Sequence, residues 1–299
     1  MSNPDKTTAC AEDRGKILVF GAAADRLKKA AEESRKIRSV AISPFRGGVG
    51  REALFGTGGS LTGGQVRSEA LWDALPAIAF PVEKLRANGL FPNREHPEAS
   101  AIFDSLRTRL SSLCLQNGWR RVLITSPRAG GGKSLVAANL ALALARRSEG
   151  RAVLVDLALA APGLAGLFGV TEASDLSAYL FGKSPLEQHF HRMGPGLALG
   201  FAGVALPGAS DHWHAPAVRR RLDEITLRLA PDLTLFDAPP LLGGDGVIAL
   251  LPRVDAALLV VDATRDTASE IAASKALIED SCPLAGIVLN RAETSGVGP

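Results

Sequence analysis

Apolar residues along the chain fall into two kinds of run. Short, nearly unbroken runs at 122–125, 152–155, 233–236, 256–261 and 285–289 have the length and composition of strands buried on both faces. Between them lie stretches whose apolar residues recur three and four apart, which predict helices over 99–116, 134–147, 216–229 and 267–278. In the first of these, Ile102, Phe103, Leu106, Leu110, Leu113 and Cys114 share one face, and Asn117-Gly118 ends it. Shorter helices are predicted at 175–180, 185–190 and 247–251, and a further strand at 197–204. Strands alternating with helices imply an α/β fold, a mostly parallel sheet with helices on both faces.

The first part of the chain lacks this rhythm. Residues 1–15 are polar, 16–20 could form a strand, and 22–38 a helix carrying Arg26, Lys28, Lys29, Arg35, Lys36 and Arg38. Its apolar face is mostly alanine, so it reads as a basic, solvated helix. Residues 42–66 form a glycine-rich linker, and prolines recurring through 71–97 predict an extended segment laid along a domain surface. The chain thus divides into a poorly ordered N-terminal region, 1–84, and a folded domain, 85–299.

Charge and cysteine content narrow the partners. The chain has 299 residues and a formal charge of only +3. Residues 1–95 hold 15 Lys/Arg against 11 Asp/Glu, and 96–299 hold 19 against 20, so nucleic acid is not a favoured partner. Cys10, Cys114 and Cys282 show no metal or CxxC spacing and point to a reducing cytoplasm. His189, His191, His212 and His214 lack a regular ligand set with Cys or carboxylate and read as surface or packed residues. The most apolar stretch, 153–170, contains Asp156 and Pro162 and predicts no transmembrane helix. A cytoplasmic location is expected, with any membrane contact made through a partner.

The chemistry concentrates in R-R-V-L-I-T-S-P-R-A-G-G-G-K-S, residues 120–134. A strand, a glycine-rich loop and a Lys-Ser pair opening a helix form the arrangement that cradles phosphates, a P-loop NTPase type of site. Backbone N–H groups of Arg128, Ala129, Gly130, Gly131 and Gly132 would face the phosphates. Lys133 would neutralise β- and γ-oxygens, and Ser134 would ligate Mg²⁺. The pattern G-x-x-x-x-G-K-[ST] is not met strictly, because Pro127 stands at its first glycine. Asp156 and Asp237 each follow a predicted strand, where a carboxylate holding Mg²⁺ or orienting an attacking water belongs. With Lys133 they are the expected catalytic residues for ATP. Asn290 has the donor and acceptor needed to read an adenine edge, and Arg291 follows it. Arg128 could add charge near the phosphates or point to solvent; the sequence leaves both open. All these residues follow strand ends, so they are expected to converge on one rim of the sheet.

In these residues the chain resembles the cytoplasmic ATPase domain of bacterial tyrosine autokinases, relatives of the septum-positioning and chromosome-partitioning ATPases. The resemblance spans roughly 85–293. It rests on F-D-S-L-R-T (103–108), T-S-P-R-A-G-G-G-K-S (125–134), A-V-L-V-D (152–156), L-T-L-F-D-A-P-P (233–240), D-A-A-L-L-V-V (255–261) and G-I-V-L-N-R (286–291). It implies binding of ATP and Mg²⁺, work with a membrane polysaccharide co-polymerase, and a role in exopolysaccharide or capsule synthesis and export. The departures imply degenerate kinase chemistry. The family's V-D-x-D-x-R-x-P reads V-D-L-A-L-A-A-P here, so Ala158 replaces the aspartate that activates the tyrosine hydroxyl and Ala160 the arginine. The family's tyrosine cluster is missing from the G-V-G-P end, and the lone tyrosine, Tyr179, is expected to pack inside a helix. The family's ring-forming glutamate and two arginines read Ala101, Asp104 and Arg107, which puts ring assembly through them in doubt and leaves a homo-oligomer open. The expected function is a kinase-like ATP-binding protein of polysaccharide export with slow ATPase activity. The alternatives are a nucleotide-sensing, non-hydrolysing partner of the co-polymerase, and a positioning-type ATPase supported by the basic helix at 216–229.

Overall fold

The computed structural model describes residues 63–147 and 150–292. The strand expected at 16–20, the basic helix at 22–38 and most of the glycine-rich linker lie outside them. Among the described residues seven strands form one sheet: β1 (Arg121–Thr125), β2 (Ala152–Asp156), β3 (Phe190–Met193), β4 (Leu197–Gly200), β5 (Leu233–Asp237), β6 (Ala256–Asp262) and β7 (Leu284–Asn290). Their order is β3-β4-β2-β5-β1-β6-β7. Every pairing is parallel except β3 with β4. The expected α/β, P-loop NTPase-type fold is present.

Alternation along each strand feeds two cores. On one face Val122, Ile124, Leu154, Leu235 and Leu258 pack with Leu106, Leu110 and Cys114 of α3 (Pro97–Asn117) and the apolar length of α4 (Lys133–Ala145). On the other face Leu123, Val153, Val155, Phe236 and Leu259 pack with Val218, Leu222, Ile225 and Leu229 of α7 (Pro216–Leu229) and Ile278 of α9 (Ala268–Glu279). Helix α4 is apolar on every side because it lies between the sheet and α3. The spacing of α7 buries its apolar stripe and leaves Arg219 and Arg220 outside. Helix α9 starts on a reciprocal cap between Thr267 and Glu270.

Several elements depart from expectation. The folded unit begins before residue 85. Helix α1 (Gly63–Ala74) carries Trp72, which is 1 % exposed, donates its indole N–H to the carbonyl of Pro195 at 3.0 Å and lies under the Arg151 guanidinium. Residues 76–78 are extended, as expected, and hydrogen-bond to Arg192 on edge strand β3. They blunt that edge. Helix α2 (Val82–Ala87) then interrupts the extended segment and buries Leu85. The helix expected at 185–190 is a single turn at Leu186–Gln188 followed by β3, an antiparallel strand of mixed polarity with no alternation to announce it. Helix α5 (Leu164–Phe168) was also unforeseen, being too short to show a period. Two further short helices, α6 (Leu176–Leu180) and α8 (Gly246–Leu250), fall where the pattern put them. Among the described residues, no helix is long and apolar enough to cross a membrane.

Candidate functional site

The sheet register brings the chemistry together. Asp156 and Asp237 are paired residues at the ends of neighbouring strands β2 and β5, and Ile124, just before the glycine-rich loop, pairs with Asp237. The loop, 126–132, is held on one side by the segment after Asp237. Ala238, Leu241 and Leu242 donate backbone N–H groups to the carbonyls of Ile124, Ser126 and Pro127 at 2.8–3.0 Å. Within the loop, the Ser126 hydroxyl donates to the carbonyl of Arg128 at 2.7 Å. Gly130 and Gly132 have φ of +81° and +86°, a conformation open to glycine. A side chain at Gly132 would also run into the carboxamide of Asn290.

Lys133 opens α4 and reaches across the strand ends. Its ammonium donates to Oδ1 of Asp237 at 3.2 Å and to the Ser134 hydroxyl at 3.0 Å. Asp237 is fully buried, and its Oδ2 has no hydrogen-bond donor among the described residues. Asp156 accepts N–H groups from Ala158 at 3.0 Å, Gly163 at 3.3 Å and Leu164 at 3.2 Å. Burial pushes Asp156 up to about 7, with the Asp237 charge adding to the rise and the N–H groups of Leu164 and Ala158 opposing it. Burial likewise raises Asp237, against Lys133 and Ser134. A pair of raised carboxylates, one with an orphaned oxygen, beside a hydroxyl is a donor set suited to a hard divalent cation. Gly163 leaves room there, since a Cβ on it would lie 3.5 Å from the Ser134 hydroxyl. The residues therefore fit Mg²⁺, and the exposed loop residues Arg128–Gly130 fit a phosphate chain.

The remaining expected site residues are placed differently. The Asn290 side chain donates to the carbonyl of Gly131 at 3.0 Å, so it braces the loop as well as standing at its edge. Arg128 forms an ion pair with Glu270 in the first turn of α9. Arg291, at φ +56°, pairs with Asp262 at the end of β6. Asp262 is buried, which alone would raise it, but hydrogen bonds from Thr264 and Arg291 hold it below the usual carboxylate range. Three groups beside the site escaped the sequence reading. The N–H groups of Gly163 and Leu164 reach Asp156 only because α5 turns back toward it. Arg265, in the turn between β6 and α9, places its Nη1 3.3 Å from where a Cβ on Gly130 would be. No local motif marks any of them.

The residues that depart from the expected family pattern also have positions. Ala158 is 4 % exposed and lies beside Asp156 with only a methyl group to offer. Tyr179 is 0 % exposed, packs against Phe190, and donates its hydroxyl to the carbonyl of Arg221 at 2.8 Å. Burial pushes its phenol above the ordinary value. Asp104 and Arg107 of α3 serve this chain internally. Arg107 donates to Asp104 at 2.8 Å and to the carbonyl of Ala143, while Arg146 reaches the same carboxylate at 2.9 Å.

No protein-family model matches the chain. It is 33% identical over 188 residues to EpsB of Ralstonia nicotianae, covering 62% of this chain and 25% of that protein. It is 27% identical over 227 residues to tyrosine-protein kinase etk of Escherichia coli K12, covering 69% of this chain and 30% of the relative. It is 26% identical over 190 residues to tyrosine-protein kinase YwqD of Bacillus subtilis, covering 63% of this chain and 79% of the relative. The chain thus spans about a quarter of the length of EpsB but most of YwqD. Among solved structures, the kinase domain of the Escherichia coli tyrosine kinase ETK superposes with a TM-score of 0.59 at 26% identity, covering 67% of this chain and 80% of that domain. The identities and the superposition together make the P-loop domain of this chain homologous to the bacterial tyrosine-protein kinases.

Proposed function

We propose that this chain is an ATP-binding P-loop protein of exopolysaccharide or capsule biosynthesis and export, kinase-like in fold, that hydrolyses ATP slowly and has lost tyrosine-kinase chemistry. The observation that carries this reading is one juxtaposition. A complete phosphate-and-metal cluster of Lys133, Ser134, Asp156 and Asp237 stands beside Ala158, where an acceptor for a hydroxyl proton is needed. The buried Tyr179 adds that the chain's lone tyrosine is out of reach as an acceptor.

Each side chain has a task in this reading. The loop N–H groups and the N-terminus of α4 bind the phosphates. Lys133, now paired with Asp237, would turn to the β- and γ-oxygens, and Asp237, with Asp156 and Ser134, would hold Mg²⁺. The metal, when bound, neutralises charge on the transferring phosphoryl group. Asp156 serves in this reading either as a metal ligand or to orient an attacking water. Positioning and charge neutralisation carry most of phosphoryl transfer, so hydrolysis survives the loss of one base. The expected partner is a membrane polysaccharide co-polymerase, and the expected location is cytoplasmic.

A second reading, a nucleotide sensor without turnover, draws on one feature. The carboxylate of Asp156 grips the start of α5, while Lys84 and Asn88 on and beside α2 hold carbonyls of Gly166, Leu167 and Gly169 at its end. Occupancy of the site would then bias how α2 is held against α5. The deciding experiment follows γ-labelled ATP with Mg²⁺ into free phosphate and into protein, with Lys133→Ala alongside. Label in free phosphate alone, abolished by Lys133→Ala, is expected. Bound ATP without turnover would replace this reading with the sensor. Phosphotyrosine made by the purified chain would overturn the loss of kinase chemistry.

A further inference from the structure

Among the described residues, the cations around the phosphate loop are already engaged, with one exception. Lys133 is paired with Asp237, Arg128 with Glu270 and Arg291 with Asp262. Arg265 is exposed, and among the described residues no ion pair or side-chain hydrogen bond engages its guanidinium. Its backbone, by contrast, is fixed. Arg265 and Asp266 donate N–H groups to the carbonyl of Asp262 at 3.2 and 2.9 Å, and Asp262 returns its own N–H to the Asp266 carboxylate at 2.8 Å. Thr264 binds the side chain of Asp262 through both its N–H and its hydroxyl. This turn is a rigid base from which the arginine extends over Gly130, whose φ of +81° and missing side chain leave the approach open.

We propose that Arg265 is the second cation of the nucleotide site, closing on the phosphate chain from the β6–α9 side while Lys133 meets it from α4. The proposal rests on the reading of the loop as a nucleotide site and adds a residue to it. Three features support it. The guanidinium lies against a loop residue whose exposed backbone faces the space for phosphates. A planar fork of N–H donors matches phosphate oxygens two at a time. Glu270 of α9 neutralises Arg128, the cation the loop sequence itself offers, while the β6–α9 turn just before it supplies another arginine.

The test is equilibrium binding of Mg-ATP and of tripolyphosphate, which has neither base nor ribose, to the full chain, to Arg265→Gln and to Arg265→Lys. The side chain is exposed, so thermal unfolding of Arg265→Gln should match that of the wild type. Arg265→Gln is expected to weaken both ligands by about tenfold, the size of one charge-assisted contact, more at low than at high salt. Arg265→Lys should recover part of the loss. Unchanged ATP affinity in Arg265→Gln overturns the proposal. So does a loss for ATP with none for tripolyphosphate, which would put the arginine on the base or ribose. Failure of the wild type to bind either ligand would instead refute the nucleotide site itself, and Arg265 with it.

Discussion

At the scale of single residues, the site stores repulsion between two carboxylates that water cannot reach. Asp156 rises to about 7 from burial first and from Asp237 second. The sign of the consequence follows from linkage. A carboxyl raised by folding favours the protonated native state, so its stabilising contribution is complete below the unfolded value of 3.8 and is lost as pH climbs toward about 7. Without divalent cation, the protein is therefore expected to lose stability between those limits. Asp237→Asn removes the second cause and should move the upper limit to lower pH, each tenfold change in proton affinity being worth about 1.4 kcal/mol. Added Mg²⁺ should restore stability at pH 7.5 in the wild type and much less in Asp237→Asn. Urea unfolding from pH 4.5 to 8 reads both effects, and a profile unaltered by the substitution would contradict them.

At the scale of elements, α1 and the extended residues after it belong to the fold. Trp72 fills space between α7 and the sheet, binds Pro195 through its indole and carries Arg151 on its ring. Trp72→Ala should cost about 3–5 kcal/mol, the range for emptying a buried aromatic site, read as a lower urea midpoint. A cost below 1 kcal/mol would mean the segment is docked loosely. The sequence hid this because α1 follows a glycine-rich stretch and carries two glycines of its own at its start. Its anchor is one large side chain rather than a period. Strand β3 was hidden for a related reason. An edge strand buries one residue in four here, so alternation cannot reveal it.

At the scale of the whole molecule, α3 is closed on its own domain. Arg107 and Arg146 share Asp104, and burial of that carboxylate is outweighed by these arginines, which hold it below its usual range. Charges engaged this way are not free to bind a neighbour. Arg107→Ala is expected to destabilise the domain by about 1–2 kcal/mol and to leave its mass by light scattering unchanged. A change of mass without loss of stability would show that the residue serves an intermolecular contact.

The sequence alone determined six of the seven strands, the glycine-rich loop and the place of Asp156 and Asp237 at strand ends. Each of these rests on local regularity: unbroken apolar runs, helical spacing, and glycines followed by Lys-Ser. Tyr179 as a packed residue was legible in the same way, from its place in a short apolar helix. The tertiary structure alone decided which arginines serve the loop. Arg128 lies in the motif yet is drawn off by Glu270, which is 142 positions away, and Arg265 lies outside any motif yet ends over Gly130. Long, flexible cations are placed by whichever acid the fold brings within reach, and strand order, rather than spacing along the chain, sets that.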